Sequence, residues 1–279
     1  MTYQEWTIRS VDRLTKAGCD SPAFEVRCIC EDLACRHPRM TDEIPPAVVE
    51  RLERAVDERA ARRPLQYILG NWDFLHLNLK VGEGVLIPRP DTEILCETAA
   101  DFLRKTGAVR PRVLDLCAGS GCVGLGVASL YDGVAVTAVE RSPEALAFLR
   151  QNVAESGLAA DVVEGDVLVA PPADLGRFDV IVSNPPYIPT ADLPYLMPEV
   201  QCEPRMALDG GADGLMFYRA IMAHWLPLLK DGGLLAVEIG QGQEQDVAAL
   251  FAAAGLQNVT ATPDLSGILR VVSGQKEGF

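Results

Sequence analysis

An amide, two prolines and an aromatic ring stand in a row at Asn184-Pro185-Pro186-Tyr187, directly after the apolar run Phe178 to Ser183. A buried strand that ends this way presents a rigid polar edge. Proline holds its φ at about −65°, lacks an N–H and forces the residue before it to be extended, which leaves the carbonyl oxygens of Asn184 and Pro185 free of ladder pairing. A planar NH2 group then meets two acceptors, the Asn184 side-chain oxygen and a backbone carbonyl, with Tyr187 available to stack on its flat face. The guest this suits is an amide or an exocyclic base amine. On its own, Asn-Pro-Pro reads equally well as a stiff exit from a strand. The residues upstream decide between the two.

Upstream lies Val113-Leu114-Asp115-Leu116-Cys117-Ala118-Gly119-Ser120-Gly121, an apolar strand running into a glycine-rich turn. Glycines at the carboxyl end of a strand let backbone approach a ligand closely, and open α/β sheets bind their ligands there. The next strand ends in Val139-Glu140, where an acid is placed to accept both hydroxyls of a ribose. A third is followed by Gly165-Asp166-Val167, whose carboxylate can accept from an adenine amine. The turn departs from the dinucleotide pattern G-x-G-x-x-G and has no basic residue to meet a pyrophosphate. A nucleoside without phosphates, such as S-adenosylmethionine, fits better.

The elements that must position these residues fall into two textures. From Thr2 to about Arg63 the chain is charged and helical, with apolar residues at helical intervals in Val26-Cys30-Leu33-Ala34 and in Val48-Val49-Leu52-Ala55-Val56, interrupted by Pro45-Pro46. Trp72 to Val81 shifts to a two-residue alternation. With a turn at Gly82-Glu83-Gly84 and a second strand at Val85-Leu86-Ile87, it predicts a hairpin. Strands then alternate with helices: Arg112 to Cys117, Val134 to Glu140, Asp161 to Glu164, Phe178 to Ser183 and Gly233 to Ile239. Two tail strands, Asn258 to Thr262 and Ile268 to Ser273, are expected as an antiparallel edge. The fold class is therefore α/β, a doubly wound and mostly parallel sheet. Its expected organisation is a helical docking domain over 1–70, a β-hairpin linker over 71–88 and a catalytic domain over 89–279.

The formal charge of −14 argues against a phosphate-tracking surface, which needs clustered Lys and Arg, and suits a basic partner surface. Eight irregularly spaced cysteines, no signal-peptide pattern at Met1-Thr2-Tyr3-Gln4-Glu5 and no membrane-length apolar run point to a reducing cytoplasm without disulfides. Cys28 and Cys30 with Cys35 and His37 resemble a metal set, but a heptad separates Cys28 from Cys35 on a helix, so core packing is expected and no metal. His76 and His224 are isolated and read as structural. Arg89, between Pro88 and Pro90, sits on a rigid loop able to cover a cofactor or meet a substrate. Asp91 and Glu93 are placed to cap a helix over Ile94 to Arg104, and Gly240-Gln241-Gly242-Gln243 to end a strand and start a helix.

Together, Asp115 to Gly121, Glu140, Asp166 and Asn184-Pro185-Pro186-Tyr187 resemble the class I S-adenosylmethionine-dependent methyltransferases that act on amide or amine nitrogen. Ile87-Pro88-Arg89-Pro90-Asp91-Thr92-Glu93, Pro64 to Gly70 and the helical front narrow the resemblance to the protein-glutamine methyltransferases that modify the Gly-Gly-Gln loop of peptide chain release factors. Cys202-Glu203-Pro204, Glu238-Ile239-Gly240 and Asp264-Leu265-Ser266-Gly267 with Arg270 match as well, while Cys117 stands where glycine is common. The resemblance implies that the chain binds S-adenosylmethionine and releases S-adenosylhomocysteine; a monomer is expected. Asp115, Gly119 and Gly121 would hold the methionine end of S-adenosylmethionine, Glu140 its ribose, and Asp166 with Val167 its adenine, with Cys117, Arg141 and Asn184 also at the cofactor. Asn184, Pro185 and Tyr187 would act on the substrate amide, with Pro186, Arg89 and Glu203 in the substrate site.

A sulfonium methyl is already activated, so such an enzyme has chiefly to hold the nitrogen in line and exclude water. A DNA adenine-amine methyltransferase working on a flipped base could use the same four residues, but this acidic chain shows no DNA-gripping surface. Methylation of a ribosomal protein glutamine and a non-catalytic cofactor-binding module are the other readings.

Overall fold

A computed structural model describes residues 1–34 and 37–278, so Cys35 lies outside the described residues. The chain divides into two compact units, Met1–Asn71 with Leu196–Cys202, and Trp72–Tyr195 with Glu203–Phe279.

The first unit holds helices α1 (Tyr3–Lys16), α2 (Pro22–Leu33), α3 (Pro46–Ala60) and α4 (Leu65–Leu69). Helix α1 starts at a capping box, in which the Thr2 hydroxyl accepts from Glu5 N–H and the Glu5 carboxylate from Thr2 N–H. Its inward stripe, Trp6, Ser10 and Leu14, is fully buried, as are Val26, Ile29, Leu52 and Val56 of the neighbouring helices. One charged cluster is buried with them. Arg59, 4% exposed, donates to both oxygens of Glu25 and to Glu199, and Glu199 also receives two bonds from Arg62. Cys30 is buried and Cys28 half-buried on α2.

The second unit opens with β1 (Asn71–Phe74) and β2 (Leu77–Lys80), a separate two-stranded sheet. Both strands come from the segment expected to supply only one. Leu75, at φ 51°, and His76 make the turn, and Val85 to Ile87 is not a strand. Val85 and Ile87 are buried nonetheless, and the Ile87 N–H goes to the Glu203 carboxylate at 2.9 Å instead of to a ladder.

After α5 (Glu93–Thr106), the chain runs β3 (Arg112–Leu116), α6 (Cys122–Leu130), β4 (Ala135–Glu140), α7 (Pro143–Ser156), β5 (Ala160–Glu164) and β6 (Phe178–Ser183). Then come α8 (Pro198–Gln201, within the first unit), α9 (Met216–Ala220), β7 (Leu229–Glu238), α10 (Glu244–Ala253), β8 (Gln257–Pro263) and β9 (Leu269–Gln275). The sheet order is β5-β4-β3-β6-β7-β9-β8; the first five strands are parallel, and β9 pairs antiparallel with both β7 and β8. The expected doubly wound sheet and its antiparallel edge are present.

The central strands read as unbroken apolar runs because both faces are covered. Val113, Val180 and Val182 enter one core with Leu95, Leu103 and Leu125. Leu114, Leu116 and Ile181 enter the other with Tyr218, Trp225 and Phe251. Asp91 and Glu93 serve tertiary contacts: Asp91 pairs with Arg270 at 3.0 Å, and Glu93 accepts the Leu75 N–H at 3.1 Å. Among the described residues no helix is long and apolar enough to cross a membrane.

Candidate active site

Chain order reverses between β3 and β6, so the loops after them splay apart and leave a crevice at their carboxyl ends. Leu116 lies opposite Ser183 on one side and Val139 on the other, which brings Cys117, Asn184 and Glu140 to neighbouring strand ends. The turn after β3 is left-handed at Cys117, Gly119 and Gly121 (φ 58°, 55° and 84°). At Gly121 a Cβ would also stand 2.6 Å from Leu149, so glycine is required there twice over.

A cavity of about 270 Å3 occupies the crevice. Cys117 and Gly119 form part of its wall, with Glu140, Arg141, Asp166 and Val167 along the β4 and β5 side. Arg89, Asn184 and Pro186 lie along another part of it. Glu140 accepts three backbone N–H groups, from Gly119, Arg141 and Ser142, at 2.7 to 2.8 Å. Asp166 accepts the Leu168 N–H at 2.9 Å and pairs with Arg141 at 3.0 Å.

Five expected residues do not line the cavity: Asp115, Gly121, Pro185, Tyr187 and Glu203. Asp115 is fully buried. Its Oδ2 accepts the Gly124 N–H at 2.8 Å and its Oδ1 has no partner. Burial pushes its carboxyl up to about 7 despite that N–H, and Glu140 adds to the rise. Glu203, also buried, pairs with Arg89 and so fixes a residue that does line the cavity. Tyr187 turns its hydroxyl toward Glu238 Oε1 at 3.5 Å, and its carbonyl accepts from the Gln243 amide at 3.0 Å. Burial raises its phenol, and the Glu238 charge raises it further.

Three residues assume parts that sequence patterning had not assigned them. Thr92 lines the cavity, and its hydroxyl accepts from Asn184 Nδ2 at 3.2 Å. Glu238, 3% exposed at the end of β7, is pushed up to about 7 by burial, against the pull of the Thr92 hydroxyl, Arg270 and Tyr187. Gln243 closes the Gly240 turn, accepting the Gly240 N–H at 2.9 Å while it holds Tyr187. Thr92 and Glu238 lie in strings that the resemblance had marked, and the regular spacing of Gly240 to Gln243 was the available signal for the third. Among the described residues no group of three or more His, Cys, Asp or Glu is arranged to hold a metal ion.

Residues 92–197 match the Methyltransferase small domain and residues 5–70 the PrmC N-terminal domain. The chain is 40% identical to the release factor glutamine methyltransferase of Geobacter sulfurreducens, over 97% of each chain. It is also 40% identical to the protein of the same name from Moorella thermoacetica, over 96% of each. A 16S rRNA methyltransferase of T. Thermophilus, solved in complex with AdoMet and guanosine, shares the fold at a TM-score of 0.51 and 20% identity, over 74% of this chain and 50% of that one. With near-complete coverage at this identity, and with an N-terminal domain as well as a methyltransferase domain matched, the chain belongs to the release factor glutamine methyltransferase family.

Proposed function

We propose that this protein transfers the methyl group of S-adenosylmethionine to the side-chain amide nitrogen of the glutamine in the Gly-Gly-Gln motif of peptide chain release factors, in the cytoplasm and as a monomer. The observation that carries this reading is Asn184 on the cavity wall, its NH2 group engaged by Thr92 and its Oδ1 left as an acceptor, followed by two buried prolines.

The residues present fit the cofactor. Glu140 Oε2, which receives one N–H where Oε1 receives two, has a lone pair left and can take a ribose hydroxyl. Asp166 and Val167 stand on the same wall for the adenine. Ser120, on the wall, has an unpartnered hydroxyl, and the unpartnered Asp115 Oδ1 lies behind the wall as an anionic end for a methionine ammonium. When bound, S-adenosylmethionine supplies a methyl group made electrophilic by its sulfonium.

Asn184 Oδ1 and the Pro185 carbonyl accept the two amide hydrogens, which aims the nitrogen lone pair and pushes electron density onto it as the N–C bond forms. With the cofactor bound, the new N–C bond would replace its S–C bond, the electron pair staying with sulfur, and the nitrogen would give up one proton to solvent. Tyr187, pinned at its hydroxyl and its carbonyl, holds Pro185 and Pro186 in place. Glu203 holds Arg89 beside them at the substrate end.

The test is methyl transfer from labelled S-adenosylmethionine to purified release factor, run beside a copy with the Gly-Gly-Gln glutamine replaced, a ribosomal protein and duplex DNA. Label in the intact release factor alone is expected, and label in DNA or ribosomal protein would redirect the assignment. Asn184→Ala is expected to lose about 2 to 4 kcal/mol of transition-state stabilisation, as for other oriented polar groups. Full turnover in that variant would remove Asn184 from the mechanism.

A further inference from the structure

We infer that Gln243 is a positioning residue for methyl transfer: its side-chain amide, which does not line the cavity, fixes the backbone from which Asn184 and the Pro185 carbonyl meet the substrate. The inference rests on the glutamine-methylation reading, because it names what holds the acceptor pair which that reading uses.

The need for such a hold lies in the sequence. Pro185 and Pro186 bring no N–H, so the backbone between Asn184 and Tyr187 is short of donors with which to tie itself down. Carbonyls are what it offers instead, and that of Pro185 is required by the substrate. The structure takes hold at the next residue but one, where the Tyr187 carbonyl accepts from Gln243 Nε2 at 3.0 Å. Beyond it the chain returns to backbone pairing: the Ile188 N–H goes to the Leu208 carbonyl at 3.0 Å, and the Ile188 carbonyl takes the Gly210 N–H at 2.8 Å.

The facing of the Gln243 amide is settled by backbone groups, whose polarity does not change. Its Oε1 accepts the Gly240 N–H at 2.9 Å, while its Nε2 donates to the Tyr187 carbonyl and, at 3.5 Å, toward that of Gly214. One amide thereby joins the turn after β7, the exit from β6 and the segment Asp209 to Gly214. That segment packs so tightly that a Cβ on Gly214 would stand 2.3 Å from the Tyr187 oxygen and 2.6 Å from Gln243 Nε2. Asp209, Met216 and Phe217, which flank its glycines, line the cavity, so the clamp reaches the site from a second side. Gln243 is itself seated. Its carbonyl accepts the Val247 N–H at 3.0 Å at the head of α10, whose Val247 and Phe251 are fully buried.

The test compares the wild-type chain with Gln243→Glu, which keeps the shape and an acceptor for Gly240 but, when ionised, has no hydrogen for Tyr187, and with Gln243→Leu, which removes both. Turnover on release factor, S-adenosylmethionine affinity by calorimetry and hydrogen exchange over 184–190, with 135–140 as the internal reference, are measured for each. In both variants kcat is expected to fall about tenfold or more, the scale of a small displacement of a reacting group, while cofactor affinity stays within about twofold. Exchange is expected to quicken over 184–190 and to stay unchanged over 135–140. A kcat within about twofold of wild type in Gln243→Glu overturns the inference, because the donated bond would then position nothing. So does unchanged exchange over 184–190, and so does a loss of cofactor affinity that matches the loss of kcat, since the whole site would then be disturbed. If Gln243→Leu does not fold, Gln243→Glu decides alone, because it keeps the Gly240 turn. If the wild-type chain fails to label release factor, the substrate assignment has failed, and exchange over 184–190 then decides whether Gln243 holds this backbone.

Discussion

Replacing Asp115 by Asn tests whether this protein carries a buried charge in readiness for a cationic ligand. The carboxyl is fully buried, receives one N–H and leaves its second oxygen unpartnered. Burial, with Glu140 adding to it, moves it from an ordinary 3.8 to about 7. An acid whose folded value lies above its unfolded one binds more protons when folded. Its penalty is absent below 3.8, grows as pH rises and is complete above about 7. The difference of 3.2 (7 less 3.8), at about 1.36 kcal/mol per unit, makes the full penalty about 4 kcal/mol. About 3 kcal/mol of it falls between about pH 5 and about pH 8.

Asparagine keeps the shape and can still accept from Gly124, but it has no such pH dependence. Urea unfolding of both proteins without cofactor, at about pH 5 and about pH 8, should therefore show Asp115→Asn gaining about 3 kcal/mol on the wild type across that span. S-adenosylmethionine should raise the stability of the wild type at the higher pH far more than that of the variant, because only the wild type holds a charge for the ligand to neutralise. Parallel pH dependences in the two proteins would refute the reasoning, since the carboxyl would then carry no burden for a ligand to relieve.

At Cys117 the left-handed backbone disfavours any side chain, so Cys117→Gly is expected to be more stable than Cys117→Ala by about 1 kcal/mol in the same unfolding assay. Gly121→Ala meets both a positive φ and Leu149 at 2.6 Å; a loss of about 2 to 3 kcal/mol and weaker cofactor binding by calorimetry are expected. In the helical unit, burial opposes the charge on Glu199, but bonds from Arg62 and Arg59 prevail and draw its carboxyl down to about 2. Its contribution is therefore present above the ordinary 4.5 and lost as pH falls through about 2. Glu199→Gln is expected to cost about 2 kcal/mol at neutral pH, because Arg59 then keeps one of its two ion pairs, that with Glu25, and thermal melts should show the deficit shrinking in acid.

Local patterning was enough for the alternation of strands and helices over 112–275, because strands covered on both faces are written as uninterrupted apolar runs bounded by turns. The same holds for the site's outline. Glycine in the turn after β3, an acid at the end of β4 and the prolines after β6 each answer a backbone or polarity demand felt within a few residues. The hairpin shows where such reasoning stops. The alternation over Trp72 to Val81 looked like one strand, but Leu75-His76 folds it into two, and Val85 to Ile87 is held by Glu203, more than a hundred residues away.

Only the tertiary structure decided which site residues face the cavity and which stand behind it. Thr92 reads only as one residue of the string Ile87 to Glu93, and it becomes the partner of Asn184 because the turn that leads into α5 sets it beside a strand end 92 residues further on. Glu238 reads as one residue near the end of a strand over Gly233 to Ile239, and burial beside Thr92, Tyr187 and Arg270 makes it a near-neutral titrating group. Propensity and periodicity act over a few residues, whereas desolvation and hydrogen-bond polarity depend on which distant side chains share a volume from which water is excluded.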